Sequence, residues 1–357
     1  MDNNQNNYRD TTKLIRDVLN TEGDNIDLVV LMGDTVNPDF EESFSMRFQD
    51  AVEELVKRNI PWVSVGGEDK PNNAVTREYM LQQDQSTGGK NDLSQSAKFQ
   101  AISNVTDPQK LGLYTQRIPV YNANGLFDKG TFSFNIWIMD SLGGYDCYGN
   151  NKGKSCISKE AVEWFQTEVQ KNPKTVQGDF VFTTYPLEEF MIMSNHYTAN
   201  GNCGQQVCCQ AGNTGFYKAA IDSKKVGWVI AGGDSDNDFK GQYQGINMAY
   251  ARKSGFGGNG KLTRGARVIK VNVQDEIYWT QTYIRDYQGN SITQDGKNDS
   301  CQKGTDFKEQ SVCCSIYGQN TDEAGDNIFY DDDGYLIDPQ EEQEVSISIL
   351  PYFDKDQ

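Results

Sequence analysis

Residues 27–36 read DLVVLMGDTV. The unbroken apolar run from Leu28 to Met32 suits a strand covered on both faces, and Gly33 and Asp34 end it. On the N-terminal side, Asp10 reads as a helix N-cap, Leu14, Ile15, Val18 and Leu19 share one helical face, and Gly23 stops the helix. On the C-terminal side, Phe48, Val52, Leu55 and Val56 recur at helical spacing. Pro61 to Val65 (PWVSV) then forms a second strand that runs into Gly66, Gly67, Glu68 and Asp69. Strand, helix and strand in this order predict a parallel crossover. In such sheets ligands bind beyond the carboxyl ends of the strands, where Gly33–Asp34 and Gly66–Asp69 both fall.

Further apolar runs predict strands at 132–139, 180–185, 228–231, 246–250, 268–273 and 277–283, the last two joined as an antiparallel hairpin. Residues 70–130 read as a polar, turn-rich excursion with one or two short helices. Parallel and antiparallel pairing together predict an α/β fold: a four-layer α/β/β/α sandwich of two mixed sheets flanked by helices. From residue 288 the chain turns to Asp, Gln, Asn and Gly, so the expected division is a domain over 1–287 and an acidic, cysteine-containing, loop-rich appendage over 288–357.

The balance of 33 Lys and Arg against 51 Asp and Glu gives a net charge of -18, which repels phosphate backbones and excludes nucleic acid as an expected partner. No stretch approaches the ~20 apolar residues of a membrane span, so no insertion is expected. The opening MDNNQNNYRD has the pattern of neither a signal nor a transit peptide, which leaves a cytoplasmic or ciliary place open. The 8 cysteines point instead to a secreted or lumenal protein. They form three groups: Cys147 and Cys156; Cys203, Cys208 and Cys209; Cys301, Cys313 and Cys314. Without paired CxxC spacing they read as disulfides rather than zinc ligands. Short loops favour Cys147 with Cys156, Cys203 with Cys208 or Cys209, and Cys301 with Cys313 or Cys314, leftover thiols tying the appendage to the body. Sequons at Asn104 and Asn298 are glycosylation candidates.

Four ordered segments, DLVVLMGDTV, PWVSVGGED (61–69), TYPLEEF (184–190) and GGDSDNDF (232–239), resemble the calcineurin-like metallophosphoesterases. The branch is that of the purple-acid-phosphatase-type enzymes of plants, fungi and ciliates. LGGY (142–145), CCQAGNTGF and KSGFGGNG followed by RGARVIKV support the likeness. The resemblance implies two metal ions bridged by an aspartate and held by histidines, which activate a bridging water and neutralise phosphoryl oxygens. Only the bridging position, Asp34, keeps its ligand. The metal asparagine falls on Gly67, the phosphate-contacting histidine on Glu68, and further metal histidines on Thr184, Gly233 and Ser235. An opening strand implied by the family would lie upstream of Met1.

Independently of any family, the chain holds 1 histidine, His196, so a histidine cluster is impossible. His196 sits in the loop SNHYTAN beside no acid or nucleophile pattern and reads as a solvated residue. The expectation is therefore a pseudoenzyme with no catalytic residues and no required cofactor. Asp34, Glu68, Asp69, Asp234 and Asp236 remain as acids that could hold calcium or magnesium. Asp331 to Gly334 read as a solvated turn, and VSISILPYF (345–353) as a strand able to pair at home or across a boundary. The leading functional expectation is a structural or assembly component with protein partners or self-association. Alternatives are a binding module with a relic anion or calcium site, and a residual phosphoesterase.

Overall fold

A computed structural model of the chain describes residues 3–23, 26–36, 41–67, 75–89, 92–99, 108–122, 131–143, 155–173, 177–258, 260–274, 277–296, 300–301, 309–311 and 313. By its contacts the chain divides into Met1–Gln319 and Asn320–Gln357. All described residues lie in the first unit, including those beyond 287. Glu68, Asp69, Asn104, Cys147, Asn298, Cys314, Asp331–Gly334 and the 345–353 segment fall outside the described residues.

Helix α1 (Asn3–Glu22) leads into β1 (Val29–Leu31), α2 (Glu41–Arg58) and β2 (Trp62–Ser64). β1 and β2 pair in parallel, Val29 opposite Trp62 and Leu31 opposite Ser64, as the crossover requires. Asp10 does not cap α1 but lies inside it. The helix is extended by a contact its own sequence does not announce: Tyr8 donates its hydroxyl to Asp50 on α2 at 2.5 Å. Gly23 does end α1, at φ +72°, with its N–H on the Leu19 carbonyl at 3.0 Å.

After α3 (Arg77–Thr87) and α4 (Pro108–Leu111), a six-stranded sheet assembles from β3 (Gln116–Asn122), β4 (Thr131–Ile138), β5 (Asp179–Thr183), β6 (Val226–Ala231), β7 (Lys240–Tyr243) and β8 (Ile246–Tyr250). The spatial order is β3-β4-β5-β6-β8-β7. Its four central strands are parallel, and β3 and β7 are antiparallel edges. The predicted hairpin is β9 (Gly265–Gln274) with β10 (Ile277–Asp286), and β11 (Ser291–Ile292) adds a short edge.

Alternation along the strands makes the layers. In β4 to β6, Trp137, Val181 and Val229 face one core, shared with α5 (Lys159–Val169), α6 (Glu188–Asn195) and α7 (Phe216–Ser223). Ile138, Phe180, Phe182 and Ile230 face the other way, onto Val63, Val65, Val30 and Ile269 of the opposing strands. A third core lies between β1–β2 and the first helices, built on Phe48, Val52, Leu55 and Trp62. Side chains of period two, buried on both faces, thus give the four layers α/β/β/α.

Candidate functional site

The turns after β1, β2, β5 and β6 converge, as the parallel register dictates. Their spacing is so close that side chains are excluded. A Cβ on Gly67 would stand 2.5 Å from the Asp34 amide nitrogen and 2.8 Å from its carboxylate oxygen, and one on Gly33 would stand 2.6 Å from the Thr184 hydroxyl. Gly233 takes φ +86° with its Cβ direction 3.2 Å from the Thr184 carbonyl, and Asp34 itself sits at φ +47°. Thr184, buried, donates its hydroxyl to the Gly66 carbonyl at 2.6 Å. The relic positions Asp34, Gly67, Thr184 and Gly233 are therefore together, and they are in contact with one another rather than arranged around a space.

The acids do not compensate. Asp234 is buried and accepts from the Tyr250 hydroxyl at 2.6 Å, the Cys208 N–H at 3.1 Å, Asn237 at 3.3 Å and Gln205 at 3.3 Å. Burial pushes its carboxyl up to about 6, against the pull of those donors. Asp236 accepts the backbone N–H groups of Lys261 and, at 3.0 Å, Leu262. Asp238 pairs with Arg252, both nearly fully buried, and takes the Asn202 N–H at 2.8 Å. The three carboxylates thus serve three different loops. Among the described residues no group of three His, Cys, Asp or Glu is placed to hold a metal ion. Among the described residues a dinuclear metal centre does not fit: glycine supplies no donor, the Thr184 hydroxyl is committed, and the oxygens of Asp234 are occupied.

What holds the loops is different. Arg77 at the start of α3 forms an ion pair with Asp140, just after β4, at 2.6 Å, with side chains 2% and 0% exposed. The same carboxylate accepts the N–H groups of Leu142 at 2.9 Å and Tyr114 at 3.1 Å, and the guanidinium lies over the Tyr114 ring. Gly66 and Gly143 both pack on Arg77, so this cation supports the turn that contains Gly67. Spacing alone could not find a pair 63 residues apart.

The cysteines correct the sequence expectation. Cys203 bonds Cys301 and Cys209 bonds Cys313, with Cα atoms 5.0 and 5.2 Å apart, so these two bridges run between groups rather than within them, while the expected Cys147–Cys156 pair lies outside the described residues. Cys156 and Cys208 are also in disulfides. Gln310 explains the alignment: its N–H and carbonyl bond the Asn195 side chain at 2.9 and 2.6 Å, and its own amide bonds both Val207 backbone groups at 2.7 and 2.8 Å. That lays Glu309 to Ser311 along the cysteine loop. His196 caps the end of α6 and is exposed, as expected.

A direct consequence is that restoring the asparagine cannot restore a ligand. Gly67→Asn is expected to cost about 1 to 3 kcal/mol through overpacking against Asp34, read as a lowered midpoint in chemical denaturation. A variant as stable as the parent would show that the turn has room.

No family model matches the chain. Two Arabidopsis thaliana proteins match over 271 residues: Probable inactive purple acid phosphatase 14, at 27% identity over 71% of this chain, and Probable inactive purple acid phosphatase 29, at 24% over 69%. The match spans 65% and 64% of their lengths, just under two thirds. Among solved structures, a dimetal phosphatase from Danio rerio aligns with a TM-score of 0.47 and 13% identity, over 79% of this chain and 89% of the other.

Proposed function

The chain belongs to the calcineurin-like metallophosphoesterase superfamily, and from that premise we propose that it is a non-catalytic member kept as a structural component that packs against other chains. The observation that carries the first half is the closure of the relic site: Gly67 against Asp34, Gly33 against Thr184, and Thr184 bonded to Gly66. Relatives named as inactive support it. The second half rests on what remains once catalysis is gone. The body keeps three packed cores and a buried ion pair, and its disulfides suit an extracellular or lumenal place. Stability without chemistry is what a scaffold needs.

Two measurements test the two halves separately. Purified protein is expected to release no phosphate from an aryl phosphate or a phosphodiester with added manganese, zinc, iron or magnesium. Metal-dependent turnover abolished by Asp34→Asn would overturn the non-catalytic half. Native protein is expected to sediment as an oligomer or with a crosslinkable partner, and a lone monomer would remove the assembly half.

A further inference from the structure

The first turns of α6 and α7 enclose a narrow cavity, lined by Leu187, Glu188, Glu189, Phe216 and Tyr217, with Asn213 exposed at its rim. Most of the polar groups around it are committed. Gln210 accepts the Ile157 N–H at 2.8 Å and donates to the Tyr185 carbonyl at 3.1 Å. The Thr214 hydroxyl donates to the Ile157 carbonyl at 2.6 Å, and the Tyr217 hydroxyl to the Tyr243 carbonyl at 2.8 Å. The two carboxyl groups differ from these. Glu188 accepts the Asn213 amide in a long contact of 3.4 Å, and Glu189, whose carboxyl is enclosed, accepts only its own N–H.

No cation answers them. Helix α6 carries no Lys or Arg, Lys218 of α7 turns to Asp222 at 2.9 Å, and no ion pair among the described residues includes Glu188 or Glu189. Acids in the first turn of a helix ordinarily stand in water, where the dipole favours them. Here burial, opposed by the N–H of Glu189 and reinforced by the charge of Glu188, pushes the Glu189 carboxyl up to about 8. Burial also raises Glu188, against the pull of Asn213. At neutral pH the cavity therefore keeps a proton in place of a counter-ion. Leu187 and Phe216, both buried, give it apolar walls.

We propose that this cavity, with Glu188 and Glu189 as its acceptors, is a binding site for a primary ammonium group, borne by a lysine side chain of another chain or by a small free amine. A compact ammonium carries three donors, enough to serve both carboxylates, and an alkyl stem suits the walls. Two carboxyl groups exclude an anion. Binding is coupled to a proton: as the ammonium arrives, the proton on Glu189 leaves to solvent and a buried charge pair takes its place. The site does not depend on the assembly proposal, since a free amine would also fill it.

The test is titration calorimetry of the full chain in about 0.15 M salt, which suppresses loose attraction to the net charge of -18. One arm uses lysine blocked at its backbone amine and carboxyl, the other methylammonium. Saturable 1:1 binding is expected in at least one arm; tighter binding of blocked lysine assigns a protein-borne group, and tighter binding of methylammonium a free amine. Affinity should rise about tenfold between pH 6 and pH 7, with proton release seen as a dependence of the heat on the buffer. Glu189→Gln, isosteric with the protonated carboxyl, should fold normally, weaken binding more than about tenfold at about pH 8 and abolish the proton release. Glu188→Gln should weaken it about threefold. Glu163→Gln, which removes an exposed charge of α5, should change it less than about twofold. No saturable heat in either arm, equal binding of blocked lysine acetylated on its side chain, or equal losses in Glu189→Gln and Glu163→Gln would overturn the assignment.

Discussion

Loss of the Cys203–Cys301 and Cys209–Cys313 bridges together is expected to lower the unfolding free energy by about 7 kcal/mol, comparable with the whole stability of an ordinary domain. The two bridges span 98 and 104 residues, and each alone would close a very long loop. In chain-entropy terms the first to close contributes about 4 to 5 kcal/mol. With that one in place, the second closes only a ring of roughly 20 residues, from Cys203 to Cys209 and back through Cys301 to Cys313, and adds about 3 kcal/mol. The expected pattern is therefore uneven. Cys203→Ala with Cys301→Ala, leaving Cys209–Cys313 intact, should lose about 3 kcal/mol and stay folded, whereas the reduced protein, which loses these two bridges and those of Cys156 and Cys208, should be largely unfolded at 37 °C. Denaturation of the oxidised protein, this double variant and the reduced protein would reveal the pattern, and equal small losses in all would contradict it.

The second large effect is expected at Asp140. Its carboxylate is fully buried, pairs with Arg77, and accepts two backbone N–H groups. Asp140→Leu removes the counter-charge of a buried guanidinium and is expected to cost about 3 to 5 kcal/mol. Arg77→Met in the same background should recover most of that loss, because a buried ion pair exchanged as a unit for apolar groups is close to neutral. Failure of the second substitution to rescue would mean that the two N–H groups, rather than the ion pair, dominate at this position. The double-variant comparison separates the two contributions.

Much of this was legible in the amino-acid sequence, and for a definite reason. β2, β5 and β6 are buried on both faces, so they appear as mainly apolar runs, and Gly33, Gly66 and Gly232 mark the turns after β1, β2 and β6. The edge strands were not legible: β3 carries Pro119 and β7 reads Lys-Gly-Gln-Tyr, and half-solvated edges lose the apolar signature. The absence of metal-ligating side chains at Gly67, Thr184, Gly233 and Ser235, the positions the family resemblance singles out, is read directly from residue identity. The closing of the site over those positions is not, since it depends on Thr184 reaching a carbonyl 118 residues away. The partners of Cys203 and Cys301 were misjudged because short loops are easy to close but do not compete with a segment already aligned by Gln310.

The bridges also decide what a protease can accomplish. Any single cut between Gln210 and Ser300, including one in the exposed turn at Gly257 and Gly258, leaves the two pieces covalently joined through Cys203–Cys301 and Cys209–Cys313. After the cut at Gly257 and Gly258, β9 and β10 would stay hydrogen-bonded to each other on the far fragment, and that fragment could not diffuse away from the sheet it covers. Nicked molecules would thus migrate as intact ones until reduced, and a population that has been clipped at its surface would keep its place among its neighbours.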